Sequence, residues 1–458
     1  VFGYTNHTIL PEALECWPQE YLRRLLPEIY TILKKLDERQ RREFRRKGVS
    51  EEDAAAMRIA KNGAFSMANT AVYVAHRVNG VAKIHSGILK DSLFRAAYHY
   101  TPEKFVNVTN GITQRRWLML CNEELSALID RKIGTGWRGD IGQLSEMKKF
   151  RKEEDVLAEF AQIKAKKKEQ LAEYIFRKEG IRLLPDAVVY AQVKRLHEYK
   201  RQLMTAFAIL EIYEKLKNGE LADFKPTVFL FGAKSAPAYF RAKGIIKFIN
   251  EIAKKIAADG SISKKLQVVF VTDYNVSYAE KIVAGADVSL QVSTAGLEAS
   301  GTGNMKFMMN GAVTCGTMDG ANIEIVEQAG RENNYIFGAE VDEIDALRRG
   351  GYDPNAILAQ DGAARRAVGT LVDGTFDDGG RGYFKELYAS LTVGASWHKP
   401  DHYFIMRDLP DYVEKLLLIN REAGTHEFTQ KQFANAVSSA YFSSDRSIRE
   451  YSEKIWEL

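Results

Sequence analysis

One short stretch of the sequence has the composition of an anion-binding turn. Residues 298–312 read EASGTGNMKFMMNGA, in which Gly301 and Gly303 alternate with the hydroxyls of Ser300 and Thr302. This pattern favours the start of a helix, where outward-pointing N–H groups and the helix dipole attract anions. The glycine spacing is neither that of a dinucleotide fingerprint nor that of a Walker loop. An ordinary helix N-cap at Thr302 with flexible glycines is the simpler alternative.

A lysine follows this turn in apolar company. Lys306 stands between Met305 and the run Phe307, Met308 and Met309. A lysine in an apolar setting has a lowered pKa, because desolvation disfavours its charged form, and its neutral amine is a competent nucleophile. A lysine beside a phosphate-binding turn is what a Schiff base with pyridoxal phosphate requires. From the spacing alone this stays a hypothesis.

A second candidate anion site lies upstream. The segment VKRLHEYKRQ, residues 193–202, places Lys194, Arg195, Lys200 and Arg201 within eight positions. These cations repel one another, so a fixed anion is their natural partner, with arginine supplying a planar fork for phosphate oxygens. A basic surface turn is the alternative. The glycine-rich turn further along the same predicted sheet favours the functional interpretation.

Polar side chains also recur beside aromatic residues. His7 lies in YTNHT, Asn110 lies in NVTNGITQRRWL, and Glu298 adjoins the glycine-rich turn. Such groups suit sugar hydroxyls, although a satisfied structural hydrogen bond is the simpler role for each residue taken separately. Asp273 and Tyr274, at the end of a predicted strand, are compatible with turn and core positions too. No Cys/His spacing predicts a metal site.

Composition limits the class of protein. The 458 residues are 45 % hydrophobic and 27 % charged with a net charge of +5, which indicates an ordinary globular protein without a strong preference for nucleic acid. The basic stretch 34–48 contains acidic residues and favours a solvated helix face. Cys16, Cys121 and Cys315 show no Cys-x-x-Cys spacing, which indicates reduced thiols in a cytoplasmic protein. We find no signal peptide and no apolar run long enough for a membrane span.

The order of elements predicts an α/β fold. The first hundred residues have a helical pattern, including 50–78, and a long charged helix is predicted over 150–180. From residue 185, apolar segments alternate with helical ones, which predicts a doubly wound parallel sheet. The strand segments are DAVVYAQV, TVFLFGA, LQVVFVT, VSLQVS and AVTCGTM. Candidate site residues follow these strands, at the edge of the sheet where such folds bind ligands.

Five segments together resemble the glycogen/α-glucan phosphorylase family: EASGTGNMKFMMNGA, VKRLHEYKRQ, TNGITQRRWL, YTNHTILPEALE and GTMDGANIEI. The resemblance is nearly continuous along the chain and corresponds to the carboxyl-terminal half of longer family members. It implies a two-lobed glycosyltransferase fold with Rossmann-like lobes. Residues 1–109 would be a mainly helical remnant of the amino-terminal lobe, 110–435 the cofactor-binding lobe, and 436–458 a helix that crosses back. Gln114 stands where many animal members have proline.

The resemblance also implies roles for individual residues. Lys306 would carry pyridoxal phosphate as an imine. The cofactor phosphate would be held by Thr302, Gly303 and Lys194, and its ring would pack against Tyr274 and Trp117. The substrate phosphate would be bound by Arg195 and Lys200. The glucosyl unit would contact His7, Asn110, Tyr199, Glu298, Ser300 and Gly301.

The implied reaction transfers the terminal glucosyl unit of an α-1,4-glucan to inorganic phosphate and gives glucose 1-phosphate with retention. The resemblance implies that the cofactor's phosphate group acts as proton donor and acceptor toward the substrate phosphate, and that the parent protein is a homodimer. No nucleic-acid or membrane partner is expected. Two alternatives remain at this point: a cofactor-binding half that is inactive without the other lobe, and a related sugar-nucleotide glycosyltransferase, which would be expected to lack the lysine after Gly-Thr-Gly-Asn.

Overall fold

A computed structural model describes residues 2–395 and 397–458. The chain forms two compact units. Unit 1 comprises Val1–Gly111, Gly296–Ser300 and Ser444–Leu458. Unit 2 comprises Ile112–Ala295 and Gly301–Ser443. The predicted division into lobes at residues 109 and 435 stays a prediction.

Unit 1 contains two small sheets surrounded by helices. A parallel sheet has the order β1-β5-β6 and an antiparallel one the order β2-β4-β3. The strands are β1 (Gly3–Thr5), β2 (Cys16–Pro18), β3 (Ala60–Lys61), β4 (Ala64–Ser66), β5 (Arg77–Gly80) and β6 (Phe105–Asn107). The helices are α1 (Gln19–Leu25), α2 (Pro27–Lys47), α3 (Glu51–Met57), α4 (Met67–Val74), α5 (Lys83–Ile88) and α6 (Arg95–Tyr100).

The helical prediction for residues 50–78 is wrong in its middle. Ser50 caps α3 as expected, its hydroxyl accepting a hydrogen bond from the Asp53 N–H at 3.1 Å. The chain then turns into the β3–β4 hairpin at Asn62 and Gly63, whose φ angles are +50° and +74°. Both residues tolerate positive φ, and Asn-Gly is the strongest short hairpin signal. The alanine-rich pattern on either side concealed this turn.

Unit 2 is built on a six-stranded parallel sheet with the order β12-β11-β10-β7-β8-β9. Its strands are β7 (Val188–Val193), β8 (Thr227–Gly232), β9 (Leu266–Phe270), β10 (Val288–Gln291), β11 (Val313–Gly316) and β12 (Tyr335–Ile336). The first five match the predicted strand segments, and the two-residue β12 was not predicted. This is the strand order of a Rossmann-type doubly wound sheet, so the predicted fold class is confirmed.

Helices cover both faces of this sheet. They are α7 (Glu123–Ile133), α8 (Glu154–Glu179), α9 (Gln202–Lys217), α10 (Phe240–Ala258), α11 (Val276–Gly285), α12 (Gly303–Met309), α13 (Asn322–Ala329), α14 (Val341–Gly350), α15 (Pro354–Gln360), α16 (Gly362–Gly369), α17 (Tyr383–Thr392), α18 (Ile405–Glu422) and α19 (His426–Val437). The last helix, α20 (Ser444–Tyr451), belongs to unit 1.

Strand β7 shows why both faces must be covered. Its residues are buried throughout, and Val188 and Tyr190 pack into one apolar core with α9 and α10. Val189 and Ala191 pack into a second core with α8, α11 and α12. Successive side chains of a strand point to opposite faces, so an uninterrupted apolar run requires two cores. The second core carries α12 and therefore positions Lys306.

Candidate active site

The sheet of unit 2 brings two predicted loops to one place. Strands β7 and β10 are neighbours although three helices and two strands separate them in sequence. The strand order reverses between them, and such a switch point is where doubly wound sheets bind ligands, beyond the carboxyl ends of the strands. In the loop after β10, the Thr294 N–H donates to the carbonyl of Tyr199 in the loop after β7, at 3.0 Å. This bond links the basic segment 193–202 to the loop that leads toward the glycine-rich segment 298–312.

The loop after β7 presents the predicted phosphate ligands. Lys194 is held by its N–H, which donates to the carbonyl of Gly232 at the end of β8, at 3.0 Å. Arg195 is exposed, and its guanidinium has no carboxylate partner among the residues that the structure describes. The Lys200 Nζ lies over the ring of the buried Tyr199, 4.5 Å from its centroid. This loop therefore keeps cationic groups at the switch point.

Arg201 does not belong with them, although the sequence grouped it with the other three cations. It is fully buried, with a φ of +54°. Its guanidinium pairs with the buried Asp408 at 2.7 Å and donates to the carbonyls of Val292 and Ser293 at 2.7 and 3.1 Å. A guanidinium whose donors are filled inside the protein is structural. Its anion is a carboxylate of the same chain.

The glycine-rich turn leads into a short helix. Gly301 has a φ of +76°, which favours glycine, and its Cα faces the side chain of Asn304. Thr302 occupies the N-cap position of α12, and within the described residues its hydroxyl makes no capping hydrogen bond. Thr302 therefore does not cap the helix through its side chain, as the simpler alternative would have it. Because this cap is absent, the Thr302 hydroxyl does not occupy the first N–H groups of α12.

Lys306 is the middle residue of α12, and its side chain lies against an aromatic face. Its Nζ is 4.1 Å from the centroid of the Trp117 ring, and Trp117 is buried. Burial lowers the pKa of Lys306 below its usual value, because the charged form is poorly solvated there. Within the described part of the chain, the ammonium has no hydrogen-bond acceptor. Met305 and Phe307 point into the apolar core that contains Trp117. The amine is thus partly desolvated and makes no hydrogen bond within the described residues.

Tyr274 follows strand β9 and lies at the end of β8. A Cβ on Gly232 would come within 3.1 Å of the Tyr274 ring and of Val193. Glycine at this position therefore lets the ring pack against the backbone. Burial raises the pKa of Tyr274 to about 12, so its hydroxyl stays protonated at neutral pH.

In unit 1, the predicted sugar-binding residues include one direct contact. The Asn110 Nδ2 donates to the Ser300 hydroxyl at 3.3 Å. The backbone beside Asn110 is held by α20, where Arg446 and Ser447 donate to the Thr109 carbonyl at 2.6 and 2.9 Å. These bonds fix the Asn110 side chain next to the buried Ser300. The C-terminal helix therefore positions a candidate ligand group.

The loop that carries His7 is fixed by a buried histidine. The His85 Nδ1 accepts from the Val81 N–H at 3.0 Å, so its Nε2 carries the proton and donates to the Asn6 Oδ1 at 2.9 Å. Desolvation lowers the pKa of His85 to about 4, which keeps this ring neutral. His7, which follows Asn6 in the sequence, is exposed, and Glu298 is half-buried.

The sequence analysis did not predict two buried polar residues that bond to α12 or its end. Asn310 is buried at the end of α12 and donates to the backbone of both Trp117 and Lys306. Lys164 is buried in α8 and donates to three carbonyls. Asn310 stands in the dipeptide Asn-Gly, an ordinary helix-end signal, and Lys164 starts a run of four lysines within five positions. Neither signal distinguishes these residues from surface ones.

Three pairs of predicted site residues are in contact. The amines of Lys306 and Lys200 lie over the rings of Trp117 and Tyr199, and Asn110 donates a hydrogen bond to Ser300. The functional roles of the predicted residues stay predictions. Over residues 2–395 and 397–458, no group of three or more His, Cys, Asp or Glu side chains is arranged to hold a metal ion. In the same part of the chain, none of the helices combines the length and the apolar character needed to cross a membrane.

A six-stranded parallel sheet of Rossmann-type strand order, covered by helices on both faces, defines an α/β protein of the doubly wound class. The sequence matches the carbohydrate phosphorylase family over residues 1–458. The chain belongs to this family.

Curated relatives agree with this assignment. The chain is 41 % identical to the glycogen phosphorylase of Bacillus subtilis over 461 residues, which is 100 % of this chain and 57 % of that protein. It is 39 % identical to the glycogen phosphorylase of Chlamydia pneumoniae over 463 residues, 100 % of this chain and 56 % of the relative. For the muscle form of human glycogen phosphorylase the identity is 38 % over 461 residues, 99 % and 54 %. The chain spans about half the length of these relatives.

Proposed function

We propose that this chain carries the cofactor-binding part of an α-glucan phosphorylase, an enzyme that transfers the terminal glucosyl unit of an α-1,4-glucan to inorganic phosphate with retention. The family match over the whole chain and relatives named glycogen phosphorylase support this proposal. The observation that carries it is Lys306, whose amine is partly desolvated and has no acceptor within the described residues. The free thiols of its three cysteines support a cytoplasmic location. Assembly as a homodimer stays a prediction.

The residues around Lys306 fit pyridoxal phosphate. An aldehyde requires a neutral amine, and the lowered pKa of Lys306 raises the fraction of neutral amine at a given pH. An aromatic cofactor ring requires apolar or aromatic walls, and Trp117 and Tyr274 are buried and half-buried rings of the same unit. Its phosphate requires N–H groups and cations, for which we assign Thr302, Gly303 and Lys194.

When bound, the cofactor would supply a phosphate group whose second pKa, near 6, suits proton exchange at neutral pH. The protein must then hold a second phosphate close to the first. Arg195 and Lys200 would do so, because an arginine fork and a lysine charge offset the repulsion between two phosphates. Arg195 stays charged at every physiological pH. Its exposure and lack of a carboxylate partner in the described chain support this role.

The glucosyl unit would be bound by neutral polar groups. We assign the pair Asn110 and Ser300 to sugar hydroxyls, since an amide and a hydroxyl at 3.3 Å offer donors and acceptors side by side. The other proposed sugar contacts are His7, Tyr199, Glu298 and Gly301. A sugar held by hydrogen bonds is oriented for attack by phosphate, which is the contribution expected from such residues.

The decisive experiment identifies the attached lysine. The purified chain is incubated with pyridoxal phosphate, its visible spectrum is measured, and the adduct is reduced with borohydride and mapped by peptide mass spectrometry. We expect a stable visible band and a label on Lys306. A colourless protein, or a label confined to other lysines, would refute the proposal. Phosphorolysis of maltodextrin is measured on the same sample, alone and with a co-expressed segment corresponding to the rest of the relatives' length.

A further inference from the structure

Asn310 is a buried amide whose hydrogen bonds converge on the Lys306 backbone. Its Nδ2 donates to the carbonyl of Trp117 at 2.7 Å and to the carbonyl of Lys306 at 2.9 Å. Its Oδ1 accepts from the Asn122 Nδ2 at 3.0 Å. Both amide hydrogens and the oxygen of this side chain are therefore used.

These partners allow only one orientation of the amide. A rotation by half a turn would place the oxygen of Asn310 against two carbonyl oxygens and its NH₂ group against the NH₂ group of Asn122. Because Asn310 is fully buried, water cannot relieve either contact. Asn122 is itself fixed, since its Oδ1 accepts from the Leu125 N–H at the start of α7, at 3.3 Å. The chain of bonds thus defines a rigid bridge.

The bridge ties together the two residues whose side chains meet. Trp117 lies in a π-helical turn over Arg115–Leu120, and Lys306 lies in α12. One atom, the Nδ2 of Asn310, bonds the backbone of both, and the Lys306 Nζ is 4.1 Å from the Trp117 ring centroid. On the other side, the Lys164 Nζ donates to the Asn310 carbonyl at 3.3 Å. Asn310 therefore links the two backbone positions from which the indole and the amine extend.

We propose that Asn310 is a positioning residue that holds the Lys306 amine against the face of Trp117, so that the amine meets an aldehyde in a single orientation. The identity of the aldehyde rests on the proposed function, whereas the placement of the amine does not. Nucleophilic attack requires a fixed approach, and a displacement of about 1 Å slows reactions by up to about 100-fold.

Two variants remove the bridge in different ways. Asn310→Ala deletes every hydrogen bond of this side chain, including the long one that its Oδ1 accepts from the Cys121 thiol at 3.9 Å. Asn310→Asp keeps the size of the side chain but replaces the bridging donor by an oxygen. Asn420→Ala is the matched control. Asn420 is also buried in unit 2, donates to the Lys225 carbonyl and the Thr227 hydroxyl at 3.0 and 2.9 Å, and accepts from the Lys225 N–H at 3.1 Å.

Three quantities are measured on the full chain of each variant. They are the thermal midpoint, the rate of pyridoxal phosphate attachment from visible absorbance, and the rate at which formaldehyde with cyanoborohydride methylates Lys306 in the cofactor-free protein. We expect Asn310→Ala and Asn420→Ala to lower the midpoint similarly. Only the Asn310 variants should slow both attachment and methylation at Lys306, on the order of 10- to 100-fold.

The outcomes separate this inference from the proposed function. Wild-type rates at Lys306 in a folded Asn310 variant would overturn the positioning role. If the wild-type chain fails to take up pyridoxal phosphate while methylation still differs between variants, the proposed function fails and the positioning role stands. If both Asn310 variants fail to fold, Asn122→Asp replaces them, because it keeps an acceptor for Leu125 and removes the donor to Asn310. It should slow methylation of Lys306 in the same direction by a smaller factor, and an unchanged rate would overturn the inference.

Discussion

Lys164 and Lys306 are two lysines of the same unit whose surroundings differ in one respect. Burial lowers the pKa of both, to about 8 for Lys164. The Lys164 ammonium donates to the carbonyls of Ala284, Ala286 and Asn310 at 3.1, 2.7 and 3.3 Å, which accounts for its three donors. The Lys306 ammonium lies over an indole and has no acceptor within the described residues. A filled set of donors indicates a structural lysine, and an open set indicates one available for chemistry.

Two arginines differ in the same way as these two lysines. Arg201 is buried, with its guanidinium bonded to Asp408 and to backbone carbonyls. Arg195, six positions earlier in the same loop, is exposed and has no carboxylate partner over the described chain. Residue type and spacing are alike for the two, so charge alone does not identify a ligand-binding cation. The two arginines differ in whether a carboxylate partner is present among the residues that the structure describes.

The comparison predicts its largest effect at Lys306. Lys306→Ala should abolish cofactor attachment and any phosphorolysis, because Lys306 is the amine to which we assign the cofactor. Folding should be retained, since the removed ammonium bonds to no acceptor among the residues that the structure describes. Absorbance after addition of pyridoxal phosphate, phosphorolysis and the thermal midpoint test this. Normal phosphorolysis by the variant would contradict the assignment.

At Lys164 the opposite pattern is expected. Lys164→Met leaves three buried carbonyls without a donor, each costing about 1–3 kcal/mol when unsatisfied, so we expect a loss of about 3 kcal/mol or more in the free energy of unfolding. Urea denaturation followed by circular dichroism measures it. The control is Lys166→Met on the same helix, which removes an exposed ion pair with Glu124 and should cost less than about 1 kcal/mol. Equal losses in the free energy of unfolding for the two variants would contradict the structural role that we assign to the hydrogen bonds of Lys164.

The sequence predicts the doubly wound sheet well because its strands are continuous apolar runs. Val188–Val193 must be buried on both faces, and that requirement shows in every residue of the run. The β3–β4 hairpin was missed because its strands are two and three residues long, too short for a periodicity to show. Only the Asn62-Gly63 pair signalled it.

The candidate site could be predicted where residue type alone implies chemistry. Lys306 is conspicuous as the one cation in an apolar run, and Arg195 stands in a dense basic segment. Asn310 and Lys164 could not be predicted, because their roles depend on partners more than a hundred positions away, such as Trp117 for Asn310 and Ala284 for Lys164. Arg201 was grouped with the wrong cations for the same reason, since Asp408 lies 207 positions away.

A smaller effect is expected at Arg195. Arg195→Ala should weaken the use of inorganic phosphate, raising its KM about 10-fold or more, as expected for loss of a charge-assisted hydrogen bond of about 1.5–3 kcal/mol. The initial rate of phosphorolysis as a function of phosphate concentration measures it. Arg349→Ala is the control, since it removes the same charge from an exposed position on α14. An unchanged phosphate dependence would argue against the role of Arg195.

The smallest effect concerns the pH at which Lys306 reacts. Because burial lowers its pKa, its neutral amine forms at a lower pH than that of an ordinary lysine. Methylation of Lys306 in the cofactor-free chain should therefore reach its plateau at a lower pH than that of N-acetyl-lysine amide under the same conditions. Lys164 also has a lowered pKa, yet it is buried and bonded, so it should be labelled only when the protein unfolds. Peptide mass spectrometry over a pH series reports both sites. If Lys164 were labelled in the native protein as fast as Lys306, a lowered pKa would suffice for reactivity and the state of the donors would not distinguish the two lysines.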